Sequence, residues 1–212
     1  EKLTYPEALR YLAKKYNIEI VEQEPTAEEI QIQNERESLL IINSYAQKYF
    51  SSNLYDQMEG QSVALAYFKE RGLRESTIRN FQLGYSLEQK DAFTRDAKKK
   101  GYKIDLLVKT GLTIQKENNY FDRFNGRIMF PIHGLSGNVI GFGGRTLRSD
   151  DKTAKYLNSP ESEVYQKSRV LYGLYFAKQA ITKQDKCYLV EGYIDVLSMN
   201  QAGIENVVAS SG

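Results

Sequence analysis

The sequence contains no tryptophan, one cysteine and one histidine among its 212 residues. A single cysteine, Cys187, excludes a disulfide framework within the chain, and together with His133 it is too little for a Cys/His zinc site. No apolar run approaches the roughly 20 residues of a membrane-spanning helix, and the first residues lack the pattern of a signal peptide. These absences favour a reducing, cytoplasmic setting without a membrane.

Aromatic residues, by contrast, are plentiful, with 16 Tyr and 9 Phe. Such a load usually serves core packing, although bases also stack on exposed rings. The net charge of +2 does not by itself indicate a nucleic-acid-binding protein. Residues 120–170 are more basic, with eight Lys and Arg against five Asp and Glu. They would contact phosphate if folding gathers them on one face, whereas on charge alone a mixed, solvated surface is the commoner arrangement.

Both ends of the sequence have the character of boundaries inside a longer chain. Residue 1 is Glu and not Met, and the last residue, Gly212, comes just after the apolar run Val207–Ala209. We therefore expect further residues on both sides.

The first half of the sequence is predicted to be mainly helical. Thr4-Tyr5-Pro6-Glu7 is typical of a helix start, and Asn17 would end that helix. Residues 21–33 are acidic and contain Pro25, which favours a linker. Apolar residues at helical spacing predict a long helix over 34–54. Shorter helices are predicted over residues 62–71, 75–80, 91–100 and 105–110.

The second half is predicted to contain strands. Residues 127–132 and 139–142 flank a glycine-rich turn and predict a hairpin, with Pro131 near an edge or the end of its strand. Residues 171–181 are predicted to be helical. Strands over 187–190 and 206–209, with a helix over 193–201 between them, predict a βαβ unit with parallel strands. A sheet of only two parallel strands would be incomplete.

Glu191 and Asp195 are candidate metal ligands. Glu191 stands where a strand ends, the edge at which ligands bind in parallel α/β sheets, and Asp195 follows on the first turn of the helix. Two carboxylates suit Mg²⁺, which takes one or two of them plus waters and phosphates. On spacing alone, an exposed loop Glu and an Asp that favours the helix dipole are the commoner interpretation.

Three segments combine basic residues with glycines or a turn. Alternation places Arg127 and Met129 on one strand face. Gly143-Gly144 would let a nucleic-acid backbone approach while Arg145 reaches a phosphate, although a lone Gly-Gly-Arg is more often a tight turn with a surface arginine. The last segment is predicted to be a turn flanked by two lysines, suited to phosphate or simply solvated: Lys155, Asn158-Ser159-Pro160 and Lys167. His133 and Cys187 are expected to serve packing.

Taken together and in order, these segments resemble the bacterial replicative DNA primases. The resemblance covers roughly residues 34–212 and is strongest from residue 120 onward. Several motifs in the right order are far more specific than any one of them. The motifs are residues 122–132, 141–145, 155–161, 171–174, 190–196, 201–204 and 208–212.

The resemblance implies an α/β fold. Residues 34–167 would form the α+β N-terminal subdomain of the primase catalytic core, helical first and then basic and β-containing. Residues 168–212 would begin a TOPRIM domain, the metal-binding α/β fold shared with topoisomerases. Residues 1–33 would be the tail of a zinc-binding domain and a linker, with the Zn²⁺ ligands lying before residue 1. A second acidic motif, Asp-x-Asp, and a helicase-binding domain would follow Gly212.

The resemblance also assigns roles to residues. Glu191 would be catalytic and, with Asp195, would bind Mg²⁺ or Mn²⁺. Relatives often carry a basic residue where this sequence has Asn125, so the electrostatic grip there would be weaker. The residues that match nucleic-acid-binding positions are Arg123, Arg127, Arg145, Lys155, Asn158 and Lys167.

The implied activity is that of a nucleotidyltransferase that makes short RNA primers for DNA replication. Its partners would be single-stranded template, nucleoside triphosphates, the RNA–DNA hybrid and a replicative helicase. The 212-residue chain alone is expected to be an inactive monomer. The alternatives are a non-catalytic single-stranded-DNA-binding fragment and another TOPRIM enzyme, a topoisomerase or nuclease. Sixteen tyrosines do not exclude the nucleophile of a topoisomerase, but residues 123–132 and 141–145 resemble primases instead.

Overall fold

The structure, a computed structural model, describes residues 5–18, 26–148 and 154–210. Thr4, the predicted helix cap, and residues 21–25 of the predicted linker lie outside these ranges. The chain divides into two compact units, Glu1–Asn34 and Glu35–Gly212.

Residues 27–33, predicted to be linker, are helical. Helix α1 spans Tyr5–Tyr16, and α2 runs from Ala27 to Asp56. The start of α2 is a capping box: the Thr26 backbone N–H donates to the Glu29 carboxylate at 2.8 Å, and the Glu29 N–H donates to the Thr26 hydroxyl at 3.2 Å. The acidic composition and Pro25 did not indicate this helix, whereas Thr-x-x-Glu is a helix-start signal.

The remaining helices of the first half confirm the predictions to within a few residues. A π-helical turn, Gly60–Leu65, precedes the α-helical part of the predicted helix over 62–71. Among the described residues, no helix is both long and apolar enough to cross a membrane. The α-helices that follow the turn are α3 (Ala66–Glu70), α4 (Glu75–Asn80), α5 (Ala92–Lys99) and α6 (Ile104–Lys109).

A four-stranded antiparallel sheet forms the centre of the second unit. It consists of β1 (Gly84–Ser86), β4 (Arg127–His133), β5 (Val139–Thr146) and β6 (Tyr156–Asn158), which lie side by side in that order. Strand β4 pairs with β5 as the predicted hairpin. Pro131 lies in an inner strand, but β1 pairs with β4 only as far as Met129. The missing N–H of Pro131 therefore falls where β1 has ended.

A second hairpin, β2 (Thr113–Lys116) and β3 (Asn119–Asp122), lies between β1 and β4 in the chain and was not predicted. Its strands have four residues each, and Glu117 in the turn has a φ of 54°. A glycine, the ordinary hairpin signal at such a position, is missing from this turn, so the hairpin was not recognisable from the sequence.

The third sheet has the order β7–β9–β8. The predicted parallel pair is confirmed, with β8 (Tyr188–Val190) beside β9 (Val207–Ser210) and α8 (Tyr193–Gln201) between them. The prediction that residues 171–173 are helical was wrong. Leu171–Tyr172 form β7, antiparallel to β9, and Gly173, with φ of 85°, separates β7 from α7 (Leu174–Gln184). The sheet that was predicted to have two strands therefore has a third one, β7.

Strand β4 is buried on both faces, and a different apolar cluster covers each face. Phe130 belongs to a cluster that continues through Tyr193 to Val207 in the third sheet. Met129 faces the other cluster, with Phe50 of α2. Period-two alternation thus splits β4 between two cores. The predicted role of the aromatic residues in packing is confirmed, since nine of the twelve largest fully buried side chains are Tyr or Phe.

Candidate functional site

The carboxylates of Glu191 and Asp195 are brought to one edge of the third sheet. Glu191 follows β8 directly, and Asp195 lies in the first turn of α8; both residues are exposed. One oxygen of Asp195 accepts a hydrogen bond from the Gly192 backbone N–H at 3.1 Å. Asp195 therefore caps its own helix, as the commoner interpretation held, and one carboxylate oxygen is already engaged.

The donor set fits a divalent cation that keeps water and substrate oxygens among its ligands. Mg²⁺ is typically bound by one or two carboxylates in this way, and Glu191 and Asp195 supply two. Within the ranges that the structure describes, no group of three or more His, Cys, Asp and Glu side chains is placed to hold a metal ion. A metal ion bound here would therefore need further ligands in addition to Glu191 and Asp195.

Asn158 lies in a strand and not in the predicted turn. It is the last residue of β6 and pairs with Gly143 of β5. Its side-chain oxygen accepts a hydrogen bond from the Tyr193 hydroxyl at 2.9 Å. This bond connects the four-stranded sheet to the first turn of α8.

A cleft of about 600 Å³ joins the acidic residues to part of the basic segment. Asn158 and Lys167 line it together with Glu191 and Asp195. Lys167 is exposed in a short 3₁₀ turn, Lys167–Arg169, that precedes β7. Four of the eight candidate residues therefore share one cavity: Asn158 comes from the four-stranded sheet, Lys167 from the 3₁₀ turn, and Glu191 and Asp195 from the βαβ unit.

Arg145 is half-buried and held by aromatic rings. Its guanidinium carbon lies 4.8 Å from the ring centroid of Tyr67 and 5.3 Å from that of Tyr156, and its Nη1 donates to the Tyr156 hydroxyl at 2.7 Å. Both contacts favour a fixed guanidinium plane. Tyr156 also lines the cleft, so Arg145 contacts a residue of the cleft wall without lining the cleft itself.

Arg127 is only 7% exposed and points into the protein. Its Nη1 atom donates to the carbonyl oxygens of Gly144 at 3.1 Å, Ala154 at 3.0 Å and Lys155 at 3.4 Å. These bonds tie β4 and β5 to the segment that leads into β6. The geometry supports a role in holding the Lys155 segment, whereas Lys155 itself is exposed.

Arg123 is likewise engaged with backbone. It is half-buried, and its Nε atom donates to the Gly111 carbonyl at 2.7 Å. Burial lowers the pKa of the Arg123 guanidinium, because removal from water disfavours the charged form. Arg123 and Arg127 thus differ from Lys155 and Lys167, although the sequence placed all four in one class.

The glycine pair before Arg145 makes room for aromatic rings and not for a nucleic-acid backbone. Gly143 and Gly144 lie inside β5, so the predicted turn was wrong. A Cβ on Gly143 would lie 2.3 Å from Cε2 of Tyr193, and one on Gly144 would lie 2.6 Å from Cδ1 of Phe124. The space that the glycines leave is therefore already filled from within the chain.

The residues that line the cleft but were not predicted from the sequence as site residues include Tyr156, Tyr193 and Ser210. Tyr156 stands between Lys155 and Asn158, and Tyr193 stands between Glu191 and Asp195. Their positions within the predicted motifs were the only sequence feature that could have indicated them as site residues. From the amino-acid composition, tyrosines were expected to serve core packing. Tyr193, which is 5% exposed, also does so.

The single histidine and the single cysteine lie apart from the cleft lining. His133 is 7% exposed and stacks on Tyr175, and its Nε2 lies 3.1 Å from the Gln82 side-chain oxygen. It is a packed histidine with polar partners, as predicted. Cys187 is exposed, so the prediction that it packs in a strand was wrong; β8 begins one residue later.

Comparison with known proteins identifies the family. A family model of the N-terminal domain of the DNA primase catalytic core matches residues 49–178, and a Toprim-like model matches residues 188–212. A DNA primase from Clostridium acetobutylicum is 40% identical over 215 residues, which cover 100% of this chain and 34% of that protein. The chain therefore spans about a third of the length of this curated relative.

Solved structures agree with the sequence matches. The RNA polymerase domain of Mycobacterium tuberculosis primase DnaG, in complex with a double-stranded DNA oligomer with a 6-nucleotide overhang, aligns with a TM-score of 0.79 and 36% identity, over 83% of this chain and 55% of that one. The zinc-binding and RNA polymerase domains of Aquifex aeolicus primase align with a TM-score of 0.75 and 32% identity, over 99% and 49% of the two chains. The chain therefore belongs to the DNA primase family and carries the N-terminal domain of the catalytic core, followed by Toprim-like sequence.

Proposed function

We propose that this chain is the part of a DNA primase that holds the single-stranded template beside the acidic edge where ribonucleotides are joined. The observation that carries the proposal is the shared cleft, in which Asn158 and Lys167 face the same cavity as Glu191 and Asp195. A polynucleotide phosphate and a divalent cation are the partners that this pairing of groups suits.

Each side of the cleft has a chemical task in phosphoryl transfer. This reaction needs positioning and neutralisation of charge more than covalent help from protein. Glu191 and Asp195 would hold Mg²⁺ or Mn²⁺, which when bound neutralises charge on the triphosphate. Lys155 and Lys167 would contact template or product phosphates, since both are exposed. Arg145, which lies against the rings of Tyr67 and Tyr156, would contribute to the same contacts.

Two of the predicted nucleic-acid-binding residues take a different place in the proposal. Arg123 and Arg127 donate to backbone carbonyls, so we infer that they act by positioning the segments around them. The DNA in the Mycobacterium tuberculosis complex supports nucleic-acid binding by this fold. Contact with a replicative helicase, and Zn²⁺ binding before residue 1, stay predictions from the family resemblance.

A primer-synthesis assay on the full-length protein tests the role of Glu191. We expect Glu191→Gln to lower the rate of RNA primer synthesis about 100-fold or more, because it removes a charge that the transferring phosphate requires. Single-stranded DNA binding should stay within twofold of wild type. Glu205→Gln is the matched control, since Glu205 is an exposed carboxylate between α8 and β9. Wild-type synthesis by the Glu191→Gln protein would overturn the assignment.

A binding module without catalysis is the second candidate for the 212-residue chain by itself. Two carboxylates are the acidic lining of the cleft, and polymerases generally organise two metal ions. We expect the isolated chain to bind single-stranded DNA and to make no primers. Primer synthesis by this chain alone, in Mg²⁺ and nucleoside triphosphates, would contradict that expectation.

A further inference from the structure

Tyr193 connects the two sides of the cleft. It is the first residue of α8, between Glu191 and Asp195 in the chain, and it is 5% exposed. Its hydroxyl donates to the side-chain oxygen of Asn158 at 2.9 Å. One side chain from the acidic turn thus reaches the strand that carries the polar residues of the opposite wall.

The ring of Tyr193 is fixed by close packing, which gives its hydroxyl group a defined position. Its centroid lies 4.3 Å from the Tyr172 ring and 5.4 Å from the Phe130 ring. Against β5 the ring is so close that a Cβ at position 143 would lie 2.3 Å from its Cε2 atom. Glycine at position 143 is therefore required for this approach, and the ring has little room to move.

We propose that Tyr193 is a positioning residue that fixes the amide of Asn158 relative to the first turn of α8. The proposal rests on the proposed function of the cleft and deepens it. An asparagine amide rotates easily about its last torsion angle, and the Tyr193 hydroxyl restricts that rotation by holding its oxygen. Asp195 lies in the same helical turn as Tyr193. The bond therefore fixes the distance between Asn158 on the template side of the cleft and Asp195 on the carboxylate side.

The test is a double-mutant cycle in the full-length protein. Tyr193→Phe keeps the ring and removes the hydroxyl, and Asn158→Ala removes the acceptor. We expect each variant to weaken single-stranded DNA binding, and to raise the KM for template, about fivefold, which is the usual worth of one hydrogen bond. The double variant should lose no more than the Asn158→Ala variant alone, because both changes delete the same interaction.

Tyr172→Phe provides the matched control. The Tyr172 ring packs against the Tyr193 ring, and its buried hydroxyl has no hydrogen-bond partner in the described part of the chain. Removing that hydroxyl should leave DNA binding, KM and the urea midpoint of unfolding unchanged. An equal loss of affinity in Tyr172→Phe would show that the packing of the ring cluster, and not the bond to Asn158, matters.

Two outcomes overturn the inference. One is additive loss in the double variant, and the other is a fall in the unfolding midpoint of Tyr193→Phe that accounts for its loss of affinity, as a mere packing residue would give. Failure of the proposed function is seen separately. In that case the wild-type protein would make no primers, or Glu191→Gln would be active, whatever the result for Tyr193.

Discussion

At the scale of single residues, basic side chains that look alike in the sequence have different tasks. Arg127 is buried and donates to three backbone carbonyls, whereas Lys155 is exposed. The sequence showed that both matched the family motifs. It did not show which of them faces inward, because that depends on the register between β4, β5 and β6.

Arg127→Met tests the structural role of the buried arginine. The change keeps an apolar stem of similar length and removes every donor, so the bonds to the Gly144, Ala154 and Lys155 carbonyls are lost. We expect the free energy of unfolding to fall by about 3 kcal/mol, measured by urea denaturation. Arg169→Met, at an exposed site in the 3₁₀ turn, should change it by less than about 0.5 kcal/mol. Normal stability with lost DNA affinity would instead make Arg127 a direct contact.

His133 predicts a pH dependence of stability. Burial lowers its pKa to about 4, from an ordinary value of 6.5. The folded protein therefore keeps the ring neutral, while the unfolded chain takes up a proton below about pH 6.5. Stability from this residue is complete above pH 6.5 and is lost as the pH falls towards 4, by up to about 3 kcal/mol.

The measurement is urea unfolding between pH 4 and 7.5, for wild type and His133→Leu. The variant should show a flatter dependence over this window, since no other histidine is present in the sequence. The ring signal in NMR should titrate well below pH 6. A histidine that titrates near 6.5 in the folded protein would contradict the expectation.

At the scale of elements, helix α5 is capped by a residue that is distant in sequence. The Asp122 carboxylate accepts hydrogen bonds from the backbone N–H groups of Phe93 at 2.8 Å and Thr94 at 2.9 Å, and from the Thr94 hydroxyl at 2.6 Å. Asp122 stands at the end of β3, so the unpredicted hairpin secures the helix. Burial raises the pKa of this carboxyl, against the effect of these hydrogen bonds.

Asp122→Ala should therefore destabilise the protein by about 2 kcal/mol, in the upper range for loss of a helix cap. Asp122→Asn retains one acceptor oxygen and should cost less. Hydrogen exchange at the Phe93 and Thr94 amides reports the effect locally, with faster exchange expected in Asp122→Ala. Unchanged protection at both amides would show that the cap adds nothing.

The elements that the sequence predicted are those with a signal of their own. Helical periodicity located α2, α4, α5 and α6, and apolar runs located β4, β8 and β9. Strands β1, β6 and β7 have two or three residues, too few for a periodic pattern. Each of them is a strand because a longer neighbour offers hydrogen bonds, and that neighbour is distant in sequence. The same dependence hid the role of Tyr193, whose partner Asn158 lies 35 residues earlier.

At the scale of the whole second unit, one apolar cluster passes beneath the cleft. It runs from Leu54 in α2 through Phe130 to Ala209 in β9. The sheet and the βαβ unit thus share a core, and the cleft lies where their polar edges meet. This arrangement explains why Asn158 and Lys167 line the same cavity as Glu191 and Asp195, although these residues are spread over more than 30 positions. The sequence predicted the residues on both sides, but their meeting depends on packing.

Lys167, the basic residue that lines the cleft, predicts how DNA binding responds to salt. Single-stranded DNA affinity should fall with salt concentration, because each phosphate contact releases counterions. Lys167→Ala should reduce the slope of log K against log salt by about 0.7, the contribution of one contact to a single strand. Lys183→Ala is the control, since this exposed lysine of α7 lines a different groove with Lys178 and Gln179. Equal slopes for wild type and Lys167→Ala, or an equal reduction in Lys183→Ala, would mean that the strand does not pass through the cleft.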